Sequence, residues 1–175
     1  MEFESFGKIP RLSREIIITE KIDGTNAQIA INDDGTVQAG SRTRWITPEA
    51  DNFGFAAWVK ENEEELRLLG PGRHFGEWWG RGIQRGYGLN ERRFSLFNSS
   101  RWSLERPACC NVVPVLYQGP WSELEINDCL NCLNQYGSAA SRGFMNPEGI
   151  VLFHTKSRQM YKKTLVGDDS FKGEL

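Results

Sequence analysis

Apolar positions along this chain fall in short runs, many alternating with polar residues, and turn-forming residues separate one run from the next. That spacing predicts strands, because successive side chains of a strand point to opposite faces of its sheet. Strands are expected over 16–20, 27–31, 36–40, 74–79, 93–97, 112–117, 150–154 and 159–165, with Asn32-Asp33-Asp34-Gly35 as the hairpin turn between the second and third. Two segments read as helix. Over 48–69, Pro48-Glu49 opens a stretch in which Phe53, Ala56, Ala57, Val59, Leu66 and Leu69 recur at helical spacing, and Gly70-Pro71-Gly72 ends it. Ser122 can cap a second helix over 123–136, closed by Gly137. Strands in this number beside two helices predict an α+β domain.

Composition agrees with that class. The 18 Gly and 7 Pro supply many turns, and 11% aromatic content with six Trp supplies core material. A length of 175 residues fits one domain over 1–175, large enough to bury roughly two-thirds of its unfolded surface without disulfides. The longest apolar runs, Ile16-Ile17-Ile18 and Ile150-Val151-Leu152-Phe153, fall far below the ~20 residues of a membrane span, so no membrane partner is expected. Glu2 and Glu4 stand where a secretory leader would carry positive charge, so a cytoplasmic protein is expected. Cys129-x-x-Cys132 has zinc-ligand spacing, but its only companions are the adjacent Cys109 and Cys110, a poor second half-site. Cys129 and Cys132 are expected instead on one helix face beside Leu130 and Leu133.

The net charge of -2 argues against bulk capture of nucleic acid, yet the charge is unevenly spread. Acids crowd 61–65, whereas Arg81, Arg85, Arg92, Arg93, Arg101 and Arg106 make the middle basic, as do Lys156, Arg158, Lys162 and Lys163 near the end. Gly80-Arg81-Gly82-Ile83-Gln84-Arg85-Gly86 reads as a loop whose glycines and arginines would suit backbone approach to a phosphate, or as a plain surface loop.

One segment carries candidate chemistry by itself. In Glu20-Lys21-Ile22-Asp23-Gly24-Thr25-Asn26 an amine, a carboxylate and a tight-turn glycine sit between two strands. That arrangement suits nucleotidyl transfer through a covalent Lys-AMP, with a solvated turn lysine as the bland alternative. Phe75, Glu77 and Trp79 share a strand face, and a carboxylate in so apolar a strand faces either solvent or a buried partner.

Taken in order, six segments resemble the motifs of the covalent lysyl-nucleotide superfamily of polynucleotide ligases and capping enzymes. Glu20 to Asn26 resembles motif I of phage-type nick-sealing RNA ligases, including the Thr-Asn extension after the glycine. Ser41-Arg42-Thr43-Arg44 looks like motif Ia, Phe75-Gly76-Glu77-Trp78-Trp79-Gly80 like motif III, Phe94-Ser95-Leu96-Phe97-Asn98 like motif IIIa and Glu148-Gly149-Ile150-Val151 like motif IV. Tyr161-Lys162-Lys163 is the motif V candidate, with adjacent lysines where the family usually has Lys-x-Lys. Only one of them can easily face the phosphate, and Lys162 is favoured.

The resemblance implies an α+β nucleotidyltransferase fold, unrelated to ATP-grasp, with antiparallel sheets walling an ATP cleft and a few flanking helices. It implies an ATP-dependent RNA ligase that uses Mg²⁺ or Mn²⁺. A lysine amine ordinarily titrates at ~10.4, so converging cations are needed to free its lone pair near neutrality. Lys21 would be the nucleophile, and Arg42, Lys162 and Glu148 would share the catalysis. Glu20, Asp23, Gly24, Asn26, Glu77, Phe97 and Lys163 would complete the nucleotide site, with Glu77 on the ribose and Phe97 stacked on adenine. Asp23 and Glu148 would serve the metal. The expected partners are RNA ends or a nicked duplex, met through phosphates and sugars by a monomer without a C-terminal accessory domain, in a phage or microbial RNA-repair setting. Two other readings stay open: transfer of AMP or GMP alone, as in capping, and a non-catalytic RNA-binding module on a ligase scaffold.

Overall fold

A computed structural model describes residues 1–103 and 105–167. Two sheets carry the chain. The first has four strands in the order β10-β9-β1-β8, where β1 is Glu15–Lys21, β8 Val115–Pro120, β9 Gly149–His154 and β10 Gln159–Thr164. All of its pairs are antiparallel. The second has six, in the order β4-β3-β2-β5-β6-β7, with β2 Thr25–Ile31, β3 Val37–Ser41, β4 Trp45–Ile46, β5 Gly72–Gly80, β6 Arg92–Leu96 and β7 Cys110–Val112. It is antiparallel except for β6 and β7, which run parallel. The α+β class is therefore right, with a mixed second sheet.

Three short helical segments and one long helix cover these sheets. α1 (Phe55–Glu61), α2 (Glu63–Leu66) and a 3-10 turn (Arg67–Leu69) replace the single helix expected over 48–69. The division falls at Asn62, which leaves helical geometry at φ -108° and ψ 15°, and the late start at Phe55 has its cause in residues 51–54. Asp51 accepts from the amides of Ala56 (2.7 Å) and Ala57 (3.0 Å), so its carboxylate caps α1 from outside. Phe53 and Gly54 adopt left-handed φ of 50° and 72°, which no helix can continue through. The expected strand over 112–117 is likewise split. Pro114 has no N–H to give a ladder, and there the chain leaves β7 in one sheet to become β8 in the other. β4 is too short to have been read from its pattern.

Packing follows the faces. Ala27, Ile29 and Ile31 of β2, Trp78 of β5 and Phe94 and Leu96 of β6 pack with Phe55, Ala56 and Val59 of α1. α3 (Glu123–Tyr136), capped by the Ser122 hydroxyl, lays Cys129, Leu130 and Leu133 on Ile16, Ile18, Ile150 and Leu152. Cys132, expected to share that face, is exposed, because three residues along a helix turn it past the edge of the stripe. A third cluster of Ile22, Trp79, Tyr87 and Val113 joins the two sheets. Among the described residues no helix is long and apolar enough to cross a membrane.

Candidate active site

The β1–β9 ladder closes with Lys21 opposite Gly149, so Ile22 and Glu148 stand just beyond its last pair. There Lys21 Nζ donates to Glu148 Oε2 at 2.5 Å, with both side chains mostly sheltered, 24% and 17% exposed. Gly149 has φ 155°, and a Cβ on it would lie 2.2 Å from the Lys163 carbonyl oxygen. Only glycine lets β9 begin this close to β10 with Glu148 at its mouth.

Across from this pair, the turn after β1 rests directly on β5. A Cβ at Gly24 would meet the Trp78 carbonyl oxygen at 2.5 Å and Trp79 Cβ at 2.7 Å, so the turn requires glycine for space. The approach lets the Gly24 amide donate to Glu77 Oε1 at 3.1 Å, while Asn26 Nδ2 donates to Glu77 Oε2 at 2.8 Å. Glu77 is 7% exposed. Burial pushes its carboxyl up to about 7, with the Asn26 and Gly24 donors and the Lys21 charge pulling the other way and Glu148 adding to the rise. Glu77 thus lies within electrostatic reach of both members of the Lys21–Glu148 pair.

The remaining predicted residues divide. Phe97 follows β6, donates its amide to the Phe75 carbonyl and is 40% exposed beside Phe75 at 52%, so both rings border the open face that carries Glu77. Arg42 lies one residue past β3 and is exposed. In β10, Lys162 is opposite Val151, itself opposite Thr19, which places it on the face of β1 that carries Lys21. Lys163 is opposite the buried Ile150 and donates to Asn127 of α3 at 3.5 Å, so its side chain is on the other face.

Two residues have unforeseen surroundings. Glu20 turns away from Lys21, as neighbours in a strand must, and accepts from Ser138 Oγ at 2.6 Å and the Ala140 amide at 2.8 Å. Burial raises its carboxyl above the ordinary range, against the pull of those donors. Its side chain therefore anchors loop 137–148 rather than meeting a ligand on the Lys21 face. Asp23 accepts from Arg85 Nε at 2.9 Å, and its amide donates to the buried Tyr87 hydroxyl at 2.9 Å. Sequence reading missed Tyr87 altogether; its one signal is an aromatic between two glycines, Gly86 and Gly88.

Of the basic residues expected on phosphate, several serve the protein itself. Arg92 donates to the carbonyls of Arg81 and Phe53, Arg101 to that of Leu69, and Arg106 to that of Cys110. Arg93 pairs with Glu91.

Known proteins carry a related arrangement of strands and helices. An RNA ligase of Naegleria gruberi, solved as a point mutant with ATP and manganese, superposes with a TM-score of 0.65 at 18% identity, over 87% of this chain and 50% of that one. Another mutant of that enzyme, with AMP and manganese, gives 0.62 at 16% identity over the same shares. An archaeal ATP-dependent RNA ligase gives 0.65 at 20% identity, over 93% of this chain and 48% of its own. This chain thus spans about half the length of these solved ligases. No curated protein matches it. At such identities the superpositions establish the fold, and the sequence itself establishes the kinship: residues 14–172 match the family described as RNA ligase, and the chain belongs to that family.

Proposed function

We propose that this chain performs the adenylylation chemistry of an ATP-dependent RNA ligase of the phage-type nick-sealing kind, with Lys21 as nucleophile. The observation that carries the reading is the Lys21–Glu148 pair, held past the last rung of its ladder and within electrostatic reach of the perturbed Glu77. A buried-edge amine, a carboxylate and a half-titrated carboxyl from three separate segments are what phosphoryl chemistry near neutral pH uses. The ATP and manganese held by the Naegleria gruberi ligase support the same ligands here.

In this reading the Lys21 ammonium, paired with Glu148 at rest, gives a proton to solvent and attacks the α-phosphorus of ATP as the free amine, whose second proton is lost as the phosphoramidate forms. The N–P bond forms as the bond to the bridging oxygen breaks, and pyrophosphate departs. Arg42 and Lys162 hold phosphate oxygens. A carboxyl near half-titration can both accept and donate, which suits Glu77 to ribose hydroxyls, and the exposed Phe97 ring offers adenine a stacking surface. Among the described residues no group of three or more His, Cys, Asp or Glu clusters to cage a metal. Mg²⁺ keeps several waters and takes one or two carboxylates with substrate phosphates, which Glu148 and Asp23 would supply. Once bound, the cation neutralises charge developing on the phosphates. AMP then passes from Lys21 to an RNA 5′-phosphate, with Asn26 placing the acceptor, and an RNA 3′-hydroxyl attacks that end and expels AMP.

Incubation with α-labelled ATP and Mg²⁺ should leave label on the wild-type chain and none on Lys21→Ala. An unlabelled wild type, or label surviving the substitution, would refute the reading. Labelled GTP and NAD in parallel test the donor, and a nicked duplex with an RNA 3′-hydroxyl should yield sealed strand.

A further inference from the structure

Loop 81–91, between β5 and β6, contains most of the stretch 80–86, whose glycines and arginines read either as suited to a phosphate or as a plain surface loop. Arg85 instead turns inward, with its side chain 29% exposed. Its Nε donates to Asp23 Oδ2 at 2.9 Å, while Nη1 donates to the Pro147 carbonyl at 2.9 Å, the Asn146 carbonyl at 3.0 Å and Asn146 Oδ1 at 3.2 Å. Asp23 comes two residues after Lys21, and Pro147 comes immediately before Glu148. One guanidinium therefore grips both chains just where the β1–β9 ladder ends and nothing in that ladder keeps them from splaying.

The same loop is fixed from its other side. Tyr87, two residues on, receives the Asp23 amide on its hydroxyl, packs its ring 4.5 Å from Phe144 and 5.0 Å from Trp79, and accepts from Ser141 Oγ on its carbonyl. Arg85 thus projects from a braced segment, and the planar fork of donors is what lets it reach a carboxylate and two carbonyls at once.

We propose that Arg85 is a positioning residue: a clasp that ties the turn after Lys21 to the loop before Glu148 and so sets how amine and carboxylate meet. The proposal rests on the reading of Lys21 as nucleophile only where activity is the readout. Arg85 touches no reacting atom in this account. Its loss should act on the rate of the chemical step, not on capture of ATP.

The test is single-turnover labelling with α-labelled ATP across ATP concentrations for wild type, Arg85→Ala and Arg85→Lys, alongside amide hydrogen exchange on all three. Arg85→Ala should lower the maximal labelling rate by about 10- to 100-fold with half-saturation within about twofold of wild type. Exchange should quicken about tenfold or more in both 22–24 and 144–148, since the clasp is shared. Arg85→Lys keeps the charge but has one ammonium where Nε and Nη1 serve four acceptors on two segments, so it should recover only a minor part of the rate. A raised half-saturation at full maximal rate would make Arg85 a phosphate ligand and overturn the proposal. So would full rescue by lysine, or exchange unchanged in either segment. If Arg85→Ala melts below the assay temperature, the rate split and exchange of Arg85→Lys decide. A wild type that takes no label sinks the reading of Lys21, while the paired exchange response still decides for or against the clasp.

Discussion

Glu77 shows at a single residue how a sequence pattern narrows a question that contacts then answer. A carboxylate among Phe75, Trp78 and Trp79 had two acceptable environments, solvent or a buried partner, and the close approach of Gly24 selects the second by bringing an amide and Asn26 to its two oxygens. The cost is visible in its titration, from an ordinary 4.5 up to about 7. Between those values the unfolded chain carries Glu77 ionised while the folded protein keeps it protonated, so the folded state binds more protons and stability falls as pH rises through the window. A shift of that size corresponds to about 3 kcal/mol lost by the time the pH passes 7. Glu77→Gln removes the titration. Its melting temperature relative to wild type should therefore climb steadily from pH 4.5 to 7 and then level off. Melts of the two proteins that stay parallel over that range would show that burial does not govern this carboxyl.

At the scale of the element, what could be read ahead followed periodicity, and what could not followed single side chains acting across the chain. The strands of both sheets and α3 were legible because alternation and a 3.6-residue stripe are repeated signals. The start of α1 at Phe55 and not near 48 was not, since it depends on the Asp51 carboxylate reaching the amides of Ala56 and Ala57 and on a left-handed Phe53. The adjacent lysines of β10 left open which one faces the nucleotide, because alternation gives opposite faces without naming either. Pairing with β9 resolves the faces: Lys162 through Val151 and Thr19 to the side of Lys21, Lys163 to Asn127 and α3. Lys162→Ala should then slow lysyl-AMP formation on the order of 100-fold, the scale of losing one preorganised cation at a phosphate. Lys163→Ala should stay within about threefold. A reversed order in a label-transfer time course, with Lys163→Ala the slower, would mean that β10 slides by one residue when nucleotide binds, and equal losses would mean that strand face does not decide the lysine's part.

For the molecule as a whole, the decisive feature is that each sheet has a core of its own and the site belongs to neither. Phe55, Trp78 and Phe94 bind α1 to one sheet, Ile18 and Leu133 bind α3 to the other, and among the described residues the small cluster of Ile22, Trp79, Tyr87 and Val113 spans them. Trp79, 2% exposed, is itself held within its own sheet, donating its indole N–H to Ser95 Oγ of β6 at 2.9 Å. Ile22 is part of the junction and also sits between Lys21 and Asp23, so the packing that joins the sheets fixes Lys21 by covalent continuity. Stability and activity should separate accordingly. Leu133→Ala and Ile22→Ala both delete buried aliphatic volume, and each should cost about 2–5 kcal/mol in denaturant unfolding. Assayed well below both melting midpoints, Leu133→Ala should label with AMP at nearly the wild-type rate, because α3 lies behind the sheet that carries Lys21. Ile22→Ala should lose about tenfold or more, since a cavity between the sheets lets Lys21 and Glu77 drift apart where a shift of about 1 Å can cost that much. Equal activities for the two variants would place the alignment of the site in the individual sheets and not in their junction.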